Sequence, residues 1–136
     1  MKNSLYDTDF VGWVFTQVQA LKDRNPDFLD WDNLKEEIES LGKEQLNAVN
    51  SLLKQVIIHR LKLDYLNDNL NKNHWETEIN GFVDQIEDRL TATLRNKIDL
   101  PKIYSRSKRD LLKQYPKLSI PQDCSYTLDD LLITFD

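Results

Sequence analysis

Residues 43–66 read KEQLNAVNSLLKQVIIHRLKLDYL, a stretch without glycine or proline. Its apolar positions Leu46, Val49, Leu52, Leu53, Val56, Ile57 and Leu61 recur every three or four residues. Together they cover a helix face wide enough to touch several neighbours at once, which predicts a central helix with other elements packed around it. Downstream, Asp64 to Asn73 is rich in Asn and Asp and predicts a frayed end and a loop, with Asn73 and Glu76 spaced as a capping box. A second stripe, Trp75, Ile79, Phe82, Ile86, Leu90, Leu94 and Ile98, keeps helical spacing. It predicts one long helix antiparallel to the central one, with Gly81 costing about 1 kcal/mol. Pro101 suits the first turn of a further helix ending near Tyr115, where Pro116 blocks continuation. In the tail, Thr127 can cap a short final turn through Leu131 and Leu132.

Upstream, a helix over about residues 8–22 starts from Asp7 or Thr8 and stacks Phe10, Trp13, Val14, Val18 and Leu21 on one side. Asp23 to Asp30, with Pro26, forms a connector. A short helix then runs from Trp31 to Leu41, with Asp30 as N-cap, Asp32 in its first turn and Gly42 just past its end. Leu34, Ile38 and Leu41 make it amphipathic. Trp13, Trp31 and Trp75 fall at periodic or cap-adjacent positions and read as core anchors. The fold class is therefore all-α: one domain over residues 1–136, a helical bundle of about five helices around a long antiparallel pair, with a C-terminal tail.

Composition agrees. The chain is 40% hydrophobic and 30% charged, with three Gly and four Pro, too apolar for disorder and too poor in turn formers for a many-stranded barrel. No apolar run approaches the roughly 20 residues of a membrane span, and residues 1–10 lack the basic start and apolar stretch of a secretion signal. A cytoplasmic location, with no membrane partner, is the expectation. The single Cys124 can form neither an intrachain disulfide nor a cysteine-based metal site.

The net charge of −5 is unevenly spread. Residues 1–50 carry five Lys/Arg against ten Asp/Glu, whereas residues 97–117 carry seven Lys/Arg against two Asp. A local basic surface on an acidic protein acts within a Debye length of about 8 Å.

Leu5-Tyr6-Asp7-Thr8-Asp9-Phe10 followed by Trp13, then Leu29-Asp30-Trp31 leading into Glu36-Glu37-Ile38-Glu39-Ser40-Leu41-Gly42, forms a recognisable string. Farther on stand His59-Arg60-Leu61-Lys62, the Trp75 and Ile79 pair, and the segment Pro121 to Leu132. In this order the motifs resemble the bacterial, largely cyanobacterial family Domain of Unknown Function 29 over nearly the whole chain. The chain departs from that pattern at Asp64-Tyr65-Leu66-Asn67 and Lys72-Asn73-His74. The resemblance implies an all-helical fold, and it implies no activity, cofactor or partner.

Four acids invite a chemical reading. Glu36 and Glu39 share one helix face, as do Asp84 and Glu87, and two such pairs facing each other could hold Mg²⁺ or Mn²⁺. Helical nucleotide pyrophosphohydrolases use this logic to bring metal and water to a di- or triphosphate. The simpler reading is a solvated face with Lys35 and Lys43 nearby. His59, amid the central apolar face, could ligate a metal or serve as base to a carboxylate such as Glu37, or pack as a hydrogen-bonded core histidine. Val56 and Asn71 stand three residues before the two histidines, so the Glu-x-x-His repeat of di-iron bundles is absent. No glycine-rich phosphate loop or nucleophile elbow is present.

The basic stretch offers Arg106, Lys108, Arg109 and Lys113 to phosphates, with Tyr104 or Tyr115 to stack on a base, or else it is a docked or solvated face. The balance favours a non-catalytic helical module working through protein contacts, itself among the partners. The acidic second helix and the basic stretch would serve as complementary patches. A metal-dependent hydrolase and a nucleic-acid binder are the alternatives.

Overall fold

The computed structural model describes residues 4–136. Among them are seven α-helices, one 3-10 turn and no strand. The chain groups into two compact units, one ending at Lys43 and the other spanning Glu44–Asp136.

The N-terminal unit begins with α1 (Leu5–Thr8) and α2 (Phe10–Lys22). Asp9 separates them, and its carboxylate accepts the Gly12 amide at 3.0 Å as the N-cap of α2. A side chain at position 12 would collide with that carboxylate, so glycine fits there. At the far end of α2, Asn25 N–H reaches Ala20 O at 3.0 Å and Arg24 N–H reaches Leu21 O at 3.1 Å. These are the two bonds of a Schellman cap, with Arg24 in the left-handed region at φ 52°. The face of α2 that packs inward is Trp13, Gln17 and Ala20. Phe10, Val18 and Leu21, expected on the inner side, are exposed. The buried stripe is displaced because Gln17 is spent on the connector: its Oε1 accepts Asp30 N–H at 2.7 Å.

Helix α3 runs unbroken from Trp31 to Tyr65. The expected pair of helices separated at Gly42 is thus one helix, whose N-terminal part belongs to the first unit. A β-carbon added at Gly42 would meet nothing within 4 Å, so no close approach requires glycine there. Its cost of about 1 kcal/mol in a helix interior is met by the good helix formers Leu41, Lys43 and Glu44 beside it.

In the second unit, α3 contributes Val49, Leu53, Val56, Ile57 and Leu61 to a dry core. Helix α4 (Lys72–Arg89) lies antiparallel to it: Gln45 meets Arg89, His59 meets Glu78, and the Lys62 ammonium lies 5.6 Å from the Trp75 ring centre. Ile79, Val83 and Ile86 fill the facing side of α4 with no exposed surface. Each fully buried aliphatic side chain contributes about 1.5–3 kcal/mol, so this seam holds the unit. The predicted stripe through Ile98 is interrupted, since Leu90 is extended and Thr91 caps α5 (Ala92–Lys97) by accepting Leu94 N–H at 3.2 Å. The predicted capping box at Asn73 does not form; α4 starts earlier, after Asp68 accepts the Leu70 and Asn71 amides.

Helix α6 (Leu100–Gln114) has Pro101 in its first turn, as expected, starts from an Asp99 cap outside the sequence expectations, and adds Ile103, Tyr104 and Leu111 to the core. The tail then folds back. Helix α7 (Leu128–Leu131) has a complete capping box between Thr127 and Asp130, and Leu131 is fully buried. Asn80 and Phe135 exchange two 2.7 Å hydrogen bonds, and Tyr104 donates its hydroxyl to Pro121 O at 2.5 Å.

Candidate functional site

The acidic candidates fall in both units, Glu36 and Glu39 in the first and Asp84 and Glu87 in the second. Glu36, Glu39, Asp84 and Glu87 are all exposed, and Glu39 lies 4.0 Å from Lys35 on its own helix. Among the described residues no group of three or more His, Cys, Asp or Glu side chains is placed to hold a metal ion. Each pair shares a helix face as its spacing required.

His59 is buried, and its partner is Glu78 on α4 rather than Glu37. Its Nδ1 stands 2.7 Å from Gln55 O. A carbonyl can only accept, so Nδ1 carries a proton. Nε2 then faces the Glu78 carboxylate, whose other oxygen is 3.0 Å from His74 Nε2. Phe82 closes over the imidazole edge-on at 5.3 Å between ring centres. The result is a buried, fully bonded imidazole that ties α3 to α4, the packing role for which a core histidine is suited.

The basic stretch divides. Tyr104 is buried and hydrogen-bonded, with burial raising its hydroxyl pKa, so it offers no stacking platform. Tyr115 packs against the core. Lys108 and Arg109 line a cavity of about 680 Å³ together with Asp123 and Cys124. Burial pushes the Cys124 thiol up, away from the thiolate a nucleophile requires. Arg109 also lines a second, more polar groove of about 380 Å³ between α3 and α6. There Asp110 binds both Lys54 and Arg109, and those two cations hold its carboxyl below the usual range.

The least expected surface lies in the N-terminal unit. Of the thirteen large apolar side chains exposed among the described residues, ten precede residue 44. On α2, Phe10, Val11, Phe15, Val18 and Leu21 occupy an arc of about 140° at 3.6 residues per turn, beside the buried stripe. On α3, Trp31, Ile38 and Leu41 are each more than 60% exposed, and with half-buried Leu34 they keep the 3-4-3 spacing of a coiled-coil seam. Trp31 is therefore no core anchor, whereas Trp13 and Trp75 are. Phe15 and Phe28 also wall a concavity of about 510 Å³ whose lining includes the buried Ala20 and, as its one charged side chain, Asp23.

Behind that surface is a polar frame. Trp13 Nε1 donates to Asp30 Oδ2 at 2.9 Å, and Asp30 also accepts from the Asn33 side chain at 2.8 Å. The Asn33 amide, followed by the indole, holds the Asp30 carboxyl below its ordinary value. Tyr6 donates to Glu37 at 2.5 Å, which with desolvation raises its hydroxyl to about 12. Its ring meets Trp13 edge-on at 4.8 Å. These residues come from the string Leu5 to Gly42. The family model described as Domain of unknown function DUF29 matches residues 5–135. The chain belongs to the DUF29 family. Comparison with curated proteins gives no match, and neither does comparison with solved structures. Within this DUF29 chain, then, the string folds as a framework: Asp9 and Asp30 cap helices, and Tyr6–Glu37 and Trp13–Asp30 link α1 and α2 to α3. In the second unit His59 ties α3 to α4, Thr127 caps α7 and Trp75 is buried.

No helix among the described residues is long and apolar enough to cross a membrane.

Proposed function

We propose that this DUF29 domain is a non-catalytic protein-interaction module of the bacterial cytoplasm, and that its contact surface is the apolar face of the N-terminal unit. The observation that carries the reading is the exposure of Phe15, Phe28, Trp31, Ile38 and Leu41, each more than 60% open to solvent. Ten of the thirteen large apolar side chains exposed among the described residues fall in this unit, and five of them share one arc of α2.

Chemistry also selects the partner. Residues 4–43 carry four Lys/Arg against nine Asp/Glu, so the apolar stripes have an acidic surround. A protein helix with an apolar seam and flanking Lys or Arg fits better than a second copy, whose acids would repel. The Phe15–Phe28 concavity would take one large apolar side chain as an anchor, with Asp23 pairing a neighbouring cation. The contact thus rests on apolar burial steered by charge, rather than on the two charged patches expected from the sequence.

The test is the size of the native particle in cell extract. The chain should sediment in a complex larger than its own 16.1 kDa, and a Phe15→Glu/Ile38→Glu double variant with an unchanged melting temperature should sediment as the free chain. Sedimentation of the unaltered chain as a monomer overturns the proposal.

A further inference from the structure

The groove between α3 and α6 has no part in the interaction surface, and its chemistry differs from that of the other concavities. Six of its lining residues are Asn47, Asn50, Ser51 and Lys54 from α3 and Arg106 and Arg109 from α6. Three carry positive charge, three carry neutral hydrogen-bonding groups, and no acid lines it. Asp110 stands behind, bound to Lys54 and through one oxygen to Arg109 Nε at 3.0 Å. It pairs with two cations while carrying a single charge, and among the described residues its bond to Arg109 engages Nε rather than the terminal guanidinium nitrogens. Among the described residues Arg106 pairs with no carboxylate. Asn50 Oδ1 is buried without a hydrogen-bond partner, an acceptor that a hydroxyl of a bound small molecule could satisfy.

From this juxtaposition we infer that the α3–α6 groove binds a phosphate group carried by a small molecule. Two guanidinium groups and an ammonium line this one groove, where a tetrahedral dianion would accept charge-assisted hydrogen bonds, and Arg supplies the planar fork that such oxygens match. Ser51 and the Asn47 and Asn50 amides add neutral donors to the same wall, suited to further phosphate oxygens or to hydroxyls of the carrier. The volume of about 380 Å³ lies at the lower end of small-molecule sites, too small for a long polymer to be enclosed. The site belongs wholly to the Glu44–Asp136 unit.

The experiment is calorimetric titration of the full chain with inorganic phosphate, with ribose 5-phosphate and with a single-stranded RNA oligomer, at matched ionic strength. Melting curves without ligand serve as the folding control. Saturable one-to-one binding of either small probe, weakened about tenfold or more by Arg106→Gln and again by Arg109→Gln but not by Lys97→Gln, is the expected result. Tighter binding of the ester than of inorganic phosphate would identify hydroxyl contacts, and equal binding would identify a bare phosphate site. Because Arg106 and Arg109 are exposed, both variants should fold. Absence of saturable binding, binding indifferent to Arg106→Gln, or binding of RNA alone with steep salt dependence would each overturn the inference.

Discussion

The Trp13 indole donates its N–H to the Asp30 carboxylate 17 residues away, at 2.9 Å, and that same carboxylate caps α3 through Asn33. One side chain thereby fixes both the start of the long helix and its registry with α2. Asp30→Ala removes a cap and leaves a buried indole N–H without a partner, so it should cost about 2–3 kcal/mol. Asp30→Asn, which keeps an acceptor, should cost about 1 kcal/mol. Denaturant unfolding followed by tryptophan fluorescence checks both values.

Glu78 bridges a buried and an exposed histidine, and the two should respond unequally. Glu78→Ala leaves His59 Nε2 buried and unpaired, a loss of about 1–3 kcal/mol. His74→Ala removes only the exposed arm, worth at most about 0.5 kcal/mol. A double-mutant cycle over His59 and Glu78 should show coupling, and one over His74 and Glu78 almost none.

Arg24 holds the left-handed C′ position of a Schellman cap, where a β-carbon is strained. Arg24→Gly relieves that strain but adds freedom to the unfolded chain, leaving a net stabilisation of about 0.5–1 kcal/mol. A rise in melting temperature checks it.

Tyr6 gives the N-terminal unit an alkaline limit. Its hydroxyl donates to Glu37, and its folded pKa of about 12 stands above the ordinary 10.0. A group raised on folding stabilises fully below its unfolded pKa, and the contribution fades as pH rises through the folded value. Stability should therefore fall between pH 10 and 12, and Tyr6→Phe should flatten that part of the curve. The effect is expected to be modest, since the group is near solvent. Asp30 works in the opposite sense: depressed on folding, it loses its contribution as pH falls below about 4.

Divalent ions should do nothing specific. With Glu36, Glu39, Asp84 and Glu87 exposed and no three-ligand cluster among the described residues, titration with Mg²⁺, Mn²⁺ or Zn²⁺ after chelation should give no saturable shift of the melt. A shift lost in Glu36→Ala or Asp84→Ala would restore the hydrolase alternative.

Much of the fold is legible in local pattern, because helices announce themselves by spacing and caps. Asp30 and Thr127 cap where their chemistry places them, and Pro101 stands in the first turn of its helix. Two boundaries are not legible. Gly42 looks like a stop, yet a single helical glycine costs only about 1 kcal/mol, which its neighbours offset. At Leu90 the apolar stripe continues through a break that only the weaker Thr91 cap signals, since periodicity is blind to a change of helix axis.

The sites are harder for a further reason. Glu78 as partner of His59, and Asn47 and Ser51 as neighbours of Arg106, depend on contacts between helices that no spacing within one helix encodes. Trp31 shows the same limit for burial. Its stripe is perfectly amphipathic, and amphipathicity cannot say whether the apolar side meets the protein's own core or another molecule.

The most direct measurement places a photo-crosslinking amino acid at position 15 or 38 in living cells, with position 87, an exposed acid on α4, as control. If the N-terminal unit is a docking surface, irradiation at 15 and 38 yields the same discrete protein adduct, lost when Leu41→Glu is added, while 87 yields none. Equal labelling from all three positions, or adducts from none, would contradict a docking surface there.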